Sequence, residues 1–346
     1  MENNTVLSYS ASGTALQDVF KFLFQSCFGC EHLVSDEAFA LERIRQEMAF
    51  ADQDDLPEIE PLDGNFCRVH LKILNQGLSP ETLCRLFLLS SEKQADGASR
   101  LEQELQNLLL SAKEGLLPFS ESEVSEKISA WRSSGFPAVH HSESYREAHC
   151  PAYRVIKKDF LRLLPLLTEI DKLRRSAMQS IRIALDGRCA SGKTTMAAHL
   201  SKIYDCNVFH MDDFFLRPSQ RTPERLSQPG ENVDHERFLQ EILLPLSEGR
   251  EVCFRKYSCA KQELELPTTA FPKRLNIIEG SYSLHPSLFG FYDLTAFSDI
   301  SEAEQRERIL KRNSPEMAEK FFSTWIPMEE AYFSSLNIRE KASLIL

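Results

Sequence analysis

From residue 180 onward, short apolar runs alternate with amphipathic stretches. The order is IRIAL, KTTMAAHLSKI, CNVFHM, DHERFLQEILLPLSEG, LNIIEG, DLTAFSDI and EQRERILKRN. Compact apolar runs predict buried strands, and stripes spaced by three and four residues predict helices. Their alternation predicts crossover units, and hence a parallel sheet with flanking helices. FFSTWIPMEEAYF and the terminal ASLIL predict one more helix and a closing edge strand, with no role assigned to either.

Residues 1–178 have a different rhythm, predicted to be mostly α-helical. DVFKFLFQSCF has the spacing of a buried helix. SRLEQELQNLLLSAKEG combines a Ser99–Glu102 capping-box pattern with a stripe of Leu101, Leu105, Leu108 and Leu109, and Gly115 suits its exit. PLLTEIDKLRRSAM predicts a helix starting at Pro165 whose basic end suits the helix dipole. The pattern therefore predicts two domains, 1–178 and 179–346, with the boundary near 176–180. No internal repeat and no low-complexity segment is visible.

Bulk properties narrow the function classes. A chain of 346 residues is long for a single core, and 42% hydrophobic with 26% charged residues is a soluble globular composition. No apolar run is long enough to cross a bilayer, and the first twenty residues lack the pattern of an export signal, so no membrane role and a cytoplasmic location are expected. Nine irregularly spaced cysteines suit reduced thiols. CFGC (Cys27, Cys30) and the group His140, His141, His149 and Cys150 lack the regular spacing of a metal site. A net charge of −11 argues against nucleic acid as the main partner and leaves room for a local basic pocket for a small anion. Homo-oligomer formation is left open.

The most specific signal is LDGRCASGKTT, residues 185–195. Gly187, four residues, Gly192, Lys193 and Thr194 match G-x-x-x-x-G-K-[ST] between a strand and a helix, which is the context that gives the match meaning. Glycines permit a tight turn whose N–H groups point inward at the start of a helix, forming a nest for phosphate. The predicted nucleotide cradle is Gly187, Arg188, Cys189, Ala190, Ser191, Gly192, Lys193, Thr194 and Thr195. Lys193 adds a full positive charge at the β- and γ-phosphates of ATP, and Thr194 offers a hydroxyl to Mg²⁺. The GTPase strings D-x-x-G and N-K-x-D are absent.

Further candidates follow in chain order. Asp212 and Asp213 in HMDDFF lie at the predicted end of a strand, where open parallel sheets bind ligands. A carboxylate there takes the proton of an attacking hydroxyl or holds a metal-bound water; alternatively the pair caps the next turn. Asp213 is counted with the acceptor side. Asp234 in PGENVDHERF suits sugar hydroxyls, an N-cap, or both. Glu279 in LNIIEG follows a buried run and suits a Mg²⁺ shell, partly through water. In EQRERILKRN the four-residue spacing places Arg308 and Arg312 on one helix face, either as a lid over a transferring phosphoryl group or as a solvated basic surface.

Taken together, GRCASGKTT, MDDFF, PGENVDHERF, KYSC and IIEG resemble the superfamily of uridine kinase, nicotinamide riboside kinase and phosphoribulokinase over residues 180–313. The resemblance implies a P-loop kinase fold and ATP-dependent transfer to a sugar or nucleoside hydroxyl, with Asp212 as catalytic base. It also implies Asp234 as the acid that holds ribose hydroxyls and Tyr257 as an aromatic against the base. Ser258 after Tyr257 and Gln262 depart from the uridine kinase pattern, so the acceptor stays open among nucleosides, ribosides and related sugars. A second class remains: an ATP-binding regulatory or assembly protein using the loop as a nucleotide-state switch.

Overall fold

A computed structural model describes residues 14–30 and 36–346. Residues 1–13, part of the stretch from which the absence of an export signal is expected, lie outside the described residues. Two compact units are present, 1–164 and 165–346. The helix Leu164–Arg174, expected to close the first domain, therefore falls almost wholly in the second unit. No helix among the described residues is long and apolar enough to cross a membrane.

The first unit is rich in helices, including Leu16–Phe28, Glu37–Met48, Pro80–Leu89, Gly97–Lys113 and Glu121–Ser133. It also contains an antiparallel sheet absent from the expectation: β1 (Ile59–Pro61), β2 (Phe66–His70) and β3 (Tyr153–Lys157). The expected capping box is not formed. Asp96 precedes the Gly97–Lys113 helix, Ser99 donates to the Asp96 carbonyl, and Glu102 pairs with Arg132. Leu101, Leu105 and Leu108 do form the buried stripe, and Gly115 takes a positive φ at the exit. Cys27 and Cys30 are buried and not joined in a disulfide, and burial pushes the Cys27 thiol up to about 12.

The second unit has the expected parallel sheet, built of five strands. Its strands are β4 (Ile181–Gly187), β5 (Cys206–His210), β10 (Leu275–Glu279), β11 (Leu294–Ser298) and β12 (Leu344–Ile345), in the order β12-β11-β4-β10-β5. Between β5 and β10 come two small ribbons, β6 (Val252–Phe254) with β9 (Thr268–Ala270), and β7 (Tyr257–Ser258) with β8 (Glu263–Leu264). Every residue of β10 and β11 is buried, as central parallel strands covered on both faces require, while β5 and β12 close the edges. ASLIL thus supplies the edge strand read from the sequence. The chain leaves β4 through the Lys193–Ile203 helix to β5, and β10 later enters between them, so the carboxyl ends of β4 and β10 form a crevice.

At that crevice β4 approaches β11 so closely that a Cβ on Gly187 would stand 2.2 Å from the Ser298 carbonyl oxygen, at φ +131°. Gly192, at φ +98°, has open space where a Cβ would stand, with no neighbouring heavy atom within 4 Å. Gly187→Ala should therefore cost about 3 kcal/mol or more through overlap with backbone plus unfavourable φ, and Gly192→Ala about 1–2 kcal/mol through φ alone. Urea midpoints of the two variants check this order; equal losses would refute the close-approach argument.

Candidate active site

The last residues of β4 set the site. Asp186 has no solvent exposure. Its carboxylate accepts from the N–H groups of Gly187 (2.6 Å), Leu284 (2.8 Å) and Tyr282 (3.1 Å) and from the Tyr332 hydroxyl (2.8 Å). Burial pushes its pKa up to about 6, and these donors together with Lys193 oppose that shift. After Gly187 the chain turns through Arg188, Cys189, Ala190 (φ +61°) and Ser191 to Gly192, where the helix begins. Successive N–H groups at such a start form an anion nest.

Lys193 is buried and lies across its own loop, its ammonium donating to the carbonyls of Gly187 (2.6 Å) and Arg188 (2.9 Å). Thr194 Oγ1 is 3.3 Å from both oxygens of buried Glu279, which also meets His210 Nδ1 at 2.5 Å. The hydrogen bond to Glu279 raises the His210 pKa against the effect of burial. A threonine hydroxyl beside one carboxylate is a hard oxygen donor set, which fits Mg²⁺ with water completing its shell.

These groups open on a cavity of about 1150 Å³. Cys189, Ala190, Gly192, Lys193, Thr194 and Thr195 line it together with Glu279, Ser281 and Asp212 and with the basic side chains of Arg308, Lys311 and Arg312. Arg308 donates to the Ala190 carbonyl (3.1 Å) and pairs with Glu304; Arg312 lies 5.5 Å over the Phe321 ring. Asp212 sits in the turn Met211–Phe214 just beyond β5 and is exposed to the solvent of the cavity. The protein mass around it still limits its hydration and raises its pKa. Lys193 opposes that rise, and Glu279 and Glu329 reinforce it.

The other sequence candidates take different places. Asp213 pairs with Lys256 at 2.8 Å and is not among the lining residues. Asp234 is buried as the N-cap of His235–Phe238. It accepts from Arg237 N (3.2 Å) and Gln220 Nε2 (3.0 Å), which engages the oxygens proposed for sugar hydroxyls. Tyr257 is buried with its hydroxyl accepting from Arg221 (3.1 Å), and Arg221 rather than Tyr257 lines the cavity. Gly187, Arg188 and Ser191 form the turn behind the cradle without lining the cavity.

The C-terminal helices, which sequence reasoning left without a role, also line the cavity. The chain widens into a π-turn over Phe321–Trp325, and Phe321, Trp325, Met328 and Glu329 face the cavity. Buried Glu329 accepts from Cys189 N (2.9 Å) and Ser281 Oγ (2.7 Å), while Glu330 pairs with Arg188 (2.8 Å). Adjacent acids in MEEAYF were the available signal, but nothing local tells a surface acid from one bound to a loop 140 residues away.

No protein-family model matches the chain. Solved structures similar to it include a possible uridine kinase from Bacillus stearothermophilus, 17% identical over 54% of this chain and 99% of that one, with a TM-score of 0.42. A proposed fructose transport system kinase from Silicibacter sp. TM1040 is 22% identical over 50% and 91%, with a TM-score of 0.41. Deoxyadenosine kinase from M. mycoides with bound dATP is 14% identical over 48% and 90%, with a TM-score of 0.22. Each match covers about half of this chain, and the N-terminal half is unmatched.

Tyr332→Phe removes one of the donors to Asp186 without changing side-chain shape. The expected loss is about 1–3 kcal/mol, the cost of depriving a buried charged acceptor of one partner. Chemical denaturation with an unchanged m-value checks it; full stability would mean that the hydroxyl contributes nothing.

Proposed function

We propose that the second unit is an ATP-dependent small-molecule kinase, transferring the γ-phosphoryl group to a hydroxyl of a nucleoside, riboside or related sugar. One observation carries the reading: Asp212, a solvent-facing carboxylate of raised pKa, lines the same cavity as the phosphate-binding loop and a cationic wall.

In this reading the loop amides of residues 187–195 and the Lys193 ammonium hold the phosphates, which requires Lys193 to exchange its present loop carbonyls for phosphate oxygens. Thr194 and Glu279 hold Mg²⁺, Glu279 partly through water; the ion supplies charge neutralisation when bound. Asp212 orients the acceptor hydroxyl and accepts its proton as the oxygen bonds to the γ-phosphorus and the bond from that phosphorus to the bridging oxygen breaks, releasing ADP. Arg308 and Arg312 neutralise charge that spreads over the transferring group. Asp213, Asp234 and Tyr257 act on the acceptor side by shaping the loops, since their polar atoms are engaged by Lys256, by Gln220 and Arg237, and by Arg221.

ADP release on mixing with nucleosides, ribosides, pantothenate and sugar phosphates tests the assignment. Stimulation by one compound is the expected result, and silence across the panel favours the nucleotide switch instead.

Asp212→Asn should leave nucleotide binding near normal and lower kcat by roughly 10²–10⁴. A base must be deprotonated to act, so a raised pKa places the acid limb of kcat/KM above the ordinary aspartate range. Glu329→Gln removes a negative charge that raises Asp212, and should move that limb to lower pH. Kinetics from weakly acidic to neutral pH read both effects; a limb unmoved by Glu329→Gln would show that Glu329 does not act on Asp212.

A further inference from the structure

Behind the cavity wall, two imidazoles and a carboxylate converge. We propose that Glu231, His235 and His285 bind one transition-metal cation of the zinc class, at a site separate from the Thr194–Glu279 pair. Their ligating atoms all lie within 4.8 Å of one another, and this is the one such group among the described residues. Glu231 Oε2 is 3.1 Å from His235 Nε2, and Glu231 Oε1 is 3.6 Å from His285 Nε2. Two nitrogens and one carboxylate oxygen suit zinc far better than Mg²⁺, which prefers oxygen alone.

The reverse sides of the rings support the same reading. His235 Nδ1 and His285 Nδ1 both meet Ser287 Oγ, at 3.1 and 2.8 Å. With a cation bound, the two lone pairs of the Ser287 hydroxyl oxygen would accept from both Nδ1–H groups, which would leave both Nε2 lone pairs for the ion. Ser287 N competes weakly for His285 Nδ1 at 3.3 Å, and that alternative would put the proton on Nε2; a cation selects the first arrangement. Glu236 Oε2, 3.7 Å from His235 Nε2, is within reach as a fourth donor, with water as the other choice. Arg225 opposes a cation, lying 3.5 Å from Glu231 Oε2 and 2.7 Å from Glu236, but the carbonyls of Glu231 and Val233 also anchor it.

Occupancy would join two loops that shape the cavity. His235 opens one short helix and His285 caps another. A Cβ on Gly230 would stand 2.9 Å from Tyr332 and 3.0 Å from His285, so this turn rests directly on the residue that bonds Asp186. Asn232, the neighbour of Glu231, lines the cavity. The cation therefore acts as a brace for the acceptor-side wall.

The test uses the purified full chain, stripped with a chelator and titrated with Co²⁺, then with Zn²⁺ against a chelating dye. Stoichiometric binding is expected, with cobalt d–d bands, no thiolate-to-cobalt charge transfer, and a raised melting temperature. Glu231→Gln and His285→Asn should abolish it. Ser287→Ala, which leaves the ligands in place, should weaken it by about 10–100-fold. Absent d–d bands, a thiolate band pointing to cysteines, or undiminished binding in a Glu231→Gln protein with native circular dichroism would overturn the proposal. None of these readouts requires turnover, so failure here leaves the kinase reading intact, and an inactive kinase leaves the metal reading intact.

Discussion

A carboxylate sealed from water must find its hydrogen bonds inside the protein, and Asp186 finds them in three separate parts of the chain. Its own next residue, the turn after β10 and the C-terminal helix each donate to it. Because an ionised oxygen without donors is costly, these segments are held together wherever β4 ends. The conformation of Gly187, the start of the glycine-rich turn and the position of Tyr332 all answer to that one demand. Gly187 completes the constraint by letting the turn lie against Ser298 of the adjacent strand.

Beyond this anchor, charges of both signs meet at one cavity. Lys193, Arg308, Lys311 and Arg312 line it, although the chain as a whole carries −11. Asp212, Glu279 and Glu329 line it too, and the last two raise the pKa of the first. Glu329 also ties the wall to the loop, since its oxygens accept from Cys189 N and Ser281 Oγ.

In the first unit the polar interior has a different character. Arg68, in the middle of β2, is fully buried, bonded to both oxygens of Glu60 and to Gln25, and lies over the Tyr153 ring. An arginine and a histidine within FCRVH break the hydrophobic signature of a strand, and the partner β3 lies more than eighty residues away. That sheet was therefore invisible to a pattern of local hydrophobicity, whereas the Leu101–Leu105–Leu108 stripe was readable because a helix repeats within its own turns.

The same distinction runs through the second unit. The sequence by itself determined the strand and helix order, the parallel sheet, the closing edge strand and the glycine-rich turn between strand and helix, because each depends on residues adjacent in the chain. It also placed Asp212, Glu279, Arg308 and Arg312 among the candidates, and they share one cavity. Only the tertiary structure decided that the oxygens of Asp234 and the hydroxyl of Tyr257 are engaged by neighbouring side chains. It alone brought Glu329 onto the loop and Glu231, His235 and His285 together. Spacing along a chain encodes local geometry, while the partner of a charged side chain depends on which distant segment packing brings beside it.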